Sequence, residues 1–411
     1  MFPRYAVLDY LEKNFHSKFN PDEFYMLSVQ HLLESTGSMF ESLMQIGFKP
    51  SHIFLTGKIY STHKETETKL KQSGINITES EAPARLGYYS DSLVSDIDKM
   101  WKQLSEVIKP NGKIIVLDDG GYALSNVPQT ILEHYAVYGI EQTTSGVNKV
   151  EAKEKFPIIY LARSAAKTII EPPIVSESVQ IQLGNIIKEL NPKQIGIVGY
   201  GHIGKAITRN LKENYRISVF DNRKELQKNE LPEDVGYCTS LEEIYFLSDI
   251  IIGATGTDIS KPDWIENSSG DKTLISVSSG DVEFNNLLRI CPPYLTEKLT
   301  HPLQVLNLRT KQNHRLRILR GGMVANFTGS RHSGPGEIIQ MTRGLLFAAV
   351  TQILKNHGQM NLAQNPITLD PEYQKTIVNL WIKDQPQRRK DYLPEILNAF
   401  NDLDWIIRQS I

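Results

Sequence analysis

Cysteine is scarce: Cys238 and Cys291 are the only two in 411 residues, and they stand far apart. That excludes a disulfide framework and a zinc knuckle, and it fits a reducing compartment. No apolar run reaches the length needed to cross a membrane. The N-terminus, M-F-P-R-Y-A-V-L-D-Y-L-E-K, carries charge too early for a signal peptide. Charge of one sign is not in excess either. Forty-five Lys and Arg against 47 Asp and Glu leave a formal charge of −2, with no long basic run. A nucleic-acid groove or an anionic lipid surface calls for such a run, so neither is expected as a partner. Internal repeats and low-complexity segments are missing as well. These absences point to a soluble, cytoplasmic protein without a metal centre, long enough for two or three domains.

What is present is alternation. Strand-like apolar runs at His52–Thr56, Lys113–Asp118, Gln194–Val198, Arg216–Phe220, Asp249–Ala254, Lys272–Val277 and Leu316–Leu319 are separated by amphipathic stretches. Among the latter are Ser38–Ile46, Val94–Val107 and Lys205–Lys212. Such β–α alternation predicts an α/β protein of two doubly wound, Rossmann-like domains. The turn-prone Glu171-Pro172-Pro173 reads as a junction, followed by a helix from about Ser176 to Leu190. A second break falls at Gly329-Ser330-Arg331-His332-Ser333-Gly334-Pro335-Gly336. The expected organisation is a substrate domain at 1–175, a dinucleotide-binding domain at 176–329, and a return to the first domain from 330 to 411. The chain should end in a helical tail, charged and amphipathic over 388–411.

The dinucleotide expectation rests on Ile195–Val198 running into Gly199-Tyr200-Gly201-His202-Ile203-Gly204, with Asp221 ending the next strand. Gly199 permits the tight turn, Gly201 lets backbone approach a pyrophosphate, and Gly204 lets helix pack on strand. The helix that opens here aims unpaired N–H groups at phosphate. Asp221 can accept the hydroxyls of an adenosine ribose and would repel a 2′-phosphate by on the order of a few kcal/mol. NAD is therefore the expected cofactor, with Arg223 nearby as a weak counterweight.

Four further segments sit where α/β sheets place their sites. They are Gln30–Thr36, Lys58–His63, Val116–Gly121 and Glu141–Val147. Taken singly, each has a plain explanation: an Asp-Gly-Gly after a strand is commonly a turn, and a single His31 is commonly a core or helix-face residue. Together, their order resembles the S-adenosylhomocysteine hydrolase family over roughly residues 25–375. The resemblance is carried by His31, I-Y-S-T at 59–62, L-D-D-G-G at 117–121 and E-Q-T-T-S-G-V at 141–147. Lys167, G-Y-G-H-I-G at 199–204, A-T-G at 254–256, D-V-E at 281–283 and Asn326 complete it.

The resemblance implies NAD used within one catalytic cycle, oxidising a ribose 3′-hydroxyl, eliminating the 5′-thiol, adding water and reducing the ketone. It implies Lys167 as the base, steadied by Glu171 provided the backbone stays helical to Pro172, with Asp119 and His31 at the leaving group. It assigns Thr143, Thr144, Ser145, Thr255, Gly256 and Asn326 to the cofactor, beside Gly199, Gly201, His202, Ile203, Gly204 and Asp221. Substrate contacts fall to Gln142, Thr62, Ser35, Leu33 and His332. A nucleoside-like small molecule is the implied partner, and a homo-oligomer is expected. The departures are Gln142 in place of a glutamate, Ala162 of an asparagine, Ser279 of a histidine, and Pro172 of a polar residue. Leu33 and Ser35 stand in place of adenine-reading threonine and glutamate, and the Lys/Tyr C-terminal tail is absent. Three readings stay open: an NAD-dependent enzyme with another substrate, an adenosylhomocysteine hydrolase with a diverged pocket, and a silent NAD-binding relative.

Overall fold

A computed structural model describes residues 1–16, 19–80, 82–83, 85–223, 231–334, 336–385, 397–398 and 400–401. Apart from 397–398 and 400–401, the tail read at 388–411 lies outside the described residues, as does Pro335. The chain divides into two compact α/β units: Met1–Glu81 with Leu93–Glu171 and Gly329–Ile411, and Ala82–Ser92 with Pro172–Thr328.

The first unit is built on β1 (Phe24–Gln30), β2 (Ile53–Gly57), β3 (Asn76–Thr78), β4 (Lys113–Asp118), β5 (Ala136–Glu141) and β6 (Ile158–Tyr160). They form one sheet in the order β3-β2-β1-β4-β5-β6, with each neighbouring pair parallel. Every residue of β1 is buried, as expected where helices cover both faces of a parallel sheet. The chain re-enters this unit through the helix Gly336–Asn356, which is buried along most of its length. The strand order reverses between β1 and β4, so the crevice beyond their C-terminal ends is where such a sheet holds a ligand.

The second unit carries β7 (Ile195–Val198), β8 (Ile217–Phe220), β9 (Gly236–Tyr237), β10 (Ile250–Gly253), β11 (Lys272–Ser276), β12 (Leu306–Arg309) and β13 (Arg315–Ile318). The order is β12-β13-β11-β10-β7-β8-β9, parallel except for the β12–β13 pair. Ile195, Ile197, Ile250, Ile252 and Ile275 meet Leu183, Ile187, Ile207 and Leu211 from helices on one face. Val198, Ile251 and Leu274 meet Ile244, Leu287 and Leu288 on the other. Residues 82–92 are tied in by Gly87, whose carbonyl accepts from Asn285 Nδ2 at 2.9 Å and Arg289 Nε at 3.2 Å.

The units divide between Glu171 and Pro172, and the backbone across that junction is helical rather than a turn. Glu171-Pro172-Pro173 is helical: a π turn at Ala166–Ile170 runs directly into the helix Glu171–Leu190. Pro172 and Pro173 follow the π turn in continuous helical backbone, so the chain passes the junction without a break in the helix.

Candidate functional site

In the first unit, the C-terminal ends of β1, β2, β4 and β5 deliver Gln30 and His31, Lys58, Asp119, and Gln142. Asp119 is the hub. Its Oδ1 accepts from Lys58 Nζ at 2.5 Å, and its Oδ2 from His31 Nε2 at 3.2 Å and from Gln142 Nε2. Burial alone would raise the Asp119 carboxyl, but the Lys58 ammonium and the His31 contact hold it well below the usual carboxylate range. Burial also opposes charge on Lys58, and Asp119 outweighs it, so the ammonium's pKa is raised. At His31 burial dominates and pulls the ring down to about 4, leaving it neutral at pH 7.

Those charge states fix the proton positions. An ionised Asp119 only accepts, so His31 carries its proton on Nε2. His31 Nδ1 then accepts from the Ser61 hydroxyl at 2.6 Å. Ser61, His31 and Asp119 thus form a buried hydroxyl–imidazole–carboxylate relay. Gln142 completes the group: its Nε2 donates to Asp119, while Oε1 is buried with no hydrogen-bond partner. A glutamate at this position would face Asp119 with like charge, whereas the amide donates to it.

A second pair lies at the π turn. Lys167 Nζ donates to both carboxylate oxygens of Glu171, at 2.6 Å to Oε1, and Thr342 Oγ1 donates to the same oxygen at 2.7 Å. Helical backbone through Pro172 is what allows this i,i+4 contact. Arg343 lies within electrostatic reach of both Asp119 and Glu171, which places the two groups in one region of the unit.

The remaining expected residues of this unit frame the loops. Thr62 Oγ1 donates to the Lys58 carbonyl at 2.9 Å, and Leu33 is buried at the N-terminus of the helix Glu34–Gln45. Ser35 Oγ accepts from Arg343 Nε at 3.2 Å, while His332 Nε2 meets Glu34 at 3.3 Å, at the surface beside the same helix. Thr143 is largely committed: its hydroxyl donates to Glu141 at 2.7 Å and accepts from Gly146 N at 3.0 Å. Glu141 also accepts from Gly120 N at 3.1 Å and Gly121 N at 2.8 Å, which ties the β4 and β5 loops together. Thr144 is exposed and Ser145 partly so.

In the second unit, the glycine turn after β7 matches the expected cradle. Gly199 has φ +95°, and a Cβ there would lie 2.7 Å from the Ala254 carbonyl oxygen. A Cβ on Gly204 would strike the Gly199 carbonyl, whereas one on Gly201 would meet nothing within 4 Å. His202 and Ile203 open the helix His202–Leu211 beside that space. Asp221 also has partners within the protein. It accepts from Tyr200 N at 2.7 Å and from Arg223 N and Nε at 2.9 and 2.8 Å, which also anchors the glycine loop. Thr255 and Gly256 are held by Glu283, which accepts from their amides at 2.7 and 2.6 Å. Asn326 Oδ1 is buried without a hydrogen-bond partner. Open space at Gly201, the start of a helix beside it and the orphaned Asn326 acceptor fit a pyrophosphate and an amide-bearing ring.

Two anchors, Lys58 and Glu283, are not among the residues expected from sequence. Each stands inside a recognised segment, but only the fold shows Lys58 reaching Asp119 and Glu283 gripping the loop after β10.

Residues 171–265 match the family described as D-isomer specific 2-hydroxyacid dehydrogenase, NAD binding domain. The second unit therefore contains an NAD-binding domain, and the cofactor is NAD. Two uncharacterised proteins of Mycobacterium tuberculosis are 30% identical over 342 residues, 80% of this chain; the chain spans 64% of the length of these curated relatives. An adenosylhomocysteinase of Sulfolobus acidocaldarius is 22% identical over 404 residues, 94% of this chain and 92% of its own. Among solved structures, a dipicolinate synthase chain from Bacillus halodurans is similar at TM-score 0.42 and 12% identity, over 82% of this chain and all of its own. Among the described residues, no helix is long and apolar enough to cross a membrane, and no His/Cys/Asp/Glu cluster could hold a metal ion.

Proposed function

We propose that this chain is an adenosylhomocysteinase-like enzyme that oxidises a hydroxyl of a nucleoside- or sugar-like substrate and then removes a leaving group from the oxidised product. The reading is carried by one observation: Asp119, ionised and fully buried, joins Lys58, the His31–Ser61 relay and Gln142 at the switch point of the first unit. The near full-length similarity to the adenosylhomocysteinase supports it.

NAD, when bound, accepts the hydride from the carbon that bears the hydroxyl. Lys167, 2.6 Å from Glu171, is the base in this reading, its amine taking the hydroxyl proton. Glu171, held by Thr342, keeps the amine in place. The unpartnered Gln142 Oε1 accepts from a second substrate hydroxyl. Asp119 and His31 lie at the leaving group, where a neutral imidazole backed by a carboxylate can take up or return a proton. Substrates other than S-adenosylhomocysteine are favoured, because Ser35 and Leu33 offer no carboxylate or hydroxyl pair for an adenine.

The test presents NAD-loaded protein with S-adenosylhomocysteine and a panel of nucleosides and sugars, and follows NADH absorbance and thiol release. NADH formation with at least one nucleoside or sugar is expected, with homocysteine release far below that of an adenosylhomocysteinase. No NADH with any of them overturns the reading in favour of a silent NAD-binding relative.

A further inference from the structure

The cations of the first unit's interior are not all in ion pairs. Lys58 is matched by Asp119 and Lys167 by Glu171. Arg343, at 2% exposure, has no carboxylate within 4 Å among the described residues. Its guanidinium makes only two long hydrogen bonds, from Nε to Ser35 Oγ at 3.2 Å and from Nη1 to Gln30 Oε1 at 3.4 Å, both to neutral acceptors. Burial pulls its pKa down to about 10, which leaves it charged at neutral pH.

An arginine has five N–H donors in a planar fork, and most of these have nothing to bind. Gln30 adds another. Its Oε1 accepts from Arg343, and its Nε2 is buried with no hydrogen-bond partner. A flipped amide would aim donors at donors, so the orientation is fixed by Arg343 itself. Unpaired buried cations are costly, and orphaned donors add to the cost. One carboxylate relieves both: it accepts two parallel bonds from the guanidinium and a third from Gln30 Nε2. Gln30 directly precedes His31, so the orphaned donors lie beside the Asp119 cluster.

We infer that Arg343, Gln30 and Ser35 form a receptor for a carboxylate carried by the substrate of the first unit. The inference rests on the proposed function for its substrate site and narrows the substrate class to acids bearing an oxidisable hydroxyl.

The experiment uses the full chain loaded with NAD, so that the pyrophosphate cradle is filled. Succinate, inorganic phosphate and chloride are titrated at constant ionic strength, and the melting temperature is followed in wild type and in Arg343→Met. The expected result is a rise of several degrees with succinate over chloride in wild type and none in the variant. Without added anion, the variant should melt at or above the wild-type temperature, because a buried cation without a carboxylate in contact has been removed. A merely structural arginine predicts the opposite: a lower melting temperature for the variant and no specific response to succinate. A response to phosphate but not succinate overturns the carboxylate assignment. Loss of the succinate effect in wild type, with NADH still formed from neutral nucleosides, removes this inference and leaves the proposed function standing. A succinate effect with no NADH from any hydroxy acid, nucleoside or sugar removes the proposed function alone.

Discussion

At the scale of single residues, the account turns on which groups are charged when buried. His31 is held neutral, with its pKa pulled from 6.5 to about 4 by desolvation. The unfolded ring takes up a proton as pH falls below 6.5, while the folded ring does so only near 4. The stability it contributes is therefore complete above 6.5 and is lost on acidification toward 4. Urea denaturation of wild type and His31→Gln should diverge accordingly, with wild type losing about 2 kcal/mol more between pH 7 and pH 5. Parallel pH profiles would show that His31 is not held neutral. Asp119 tests the same electrostatics from the other side. Asp119→Asn leaves Lys58 as an unmatched buried cation and should cost about 3 kcal/mol. Adding Lys58→Met should recover at least ~1 kcal/mol of that, a coupling that denaturation of the double variant measures. If the two substitutions simply add, the pair is not coupled as the 2.5 Å contact requires.

At the scale of elements, the glycine turn separates space needed by a ligand from space needed by the fold. A Cβ at Gly201 meets nothing within 4 Å, and its φ of −73° suits any residue. Gly201→Val should therefore change stability by no more than ~0.5 kcal/mol while abolishing NAD binding by calorimetry. Gly204→Ala pushes a methyl group into the Gly199 carbonyl and should cost about 2 kcal/mol or more before any effect on NAD is considered. Equal stability losses at the two positions would contradict this division of roles.

The same scale shows what the sequence made legible. Strands β4, β7, β8, β10 and β11 were readable because they are short apolar runs bounded by turn residues. β1 was not read as a strand: Ser28 and Gln30 interrupt its apolar run, yet both are buried by pairing with β2 and β4. Glu171-Pro172-Pro173 reads as a turn because proline usually ends a helix, whereas here the backbone stays helical across it. The glycine motif and Asp221 were legible from spacing alone. Lys58 was legible only as part of a site segment, since its reach to Asp119 depends on β2 and β4 lying two strands apart with β1 between them. Arg343 gave no signal at all, because nothing in a helix sequence says that one arginine faces inward without a carboxylate.

At the scale of the whole molecule, one unit contains an NAD-binding domain and the other gathers a polar site at its own switch point. The claim that joins them is that Lys167 in the first unit takes the proton when NAD takes the hydride. The most direct measurement is rapid-mixing absorbance of the nicotinamide in wild type and Lys167→Ala, both saturated with NAD, against whichever nucleoside, sugar or hydroxy acid the screen identifies. The account predicts an NADH transient in wild type, a transient slowed by at least ~100-fold in the variant, and equal NAD affinity in both. An NADH transient of the same rate in Lys167→Ala would contradict it.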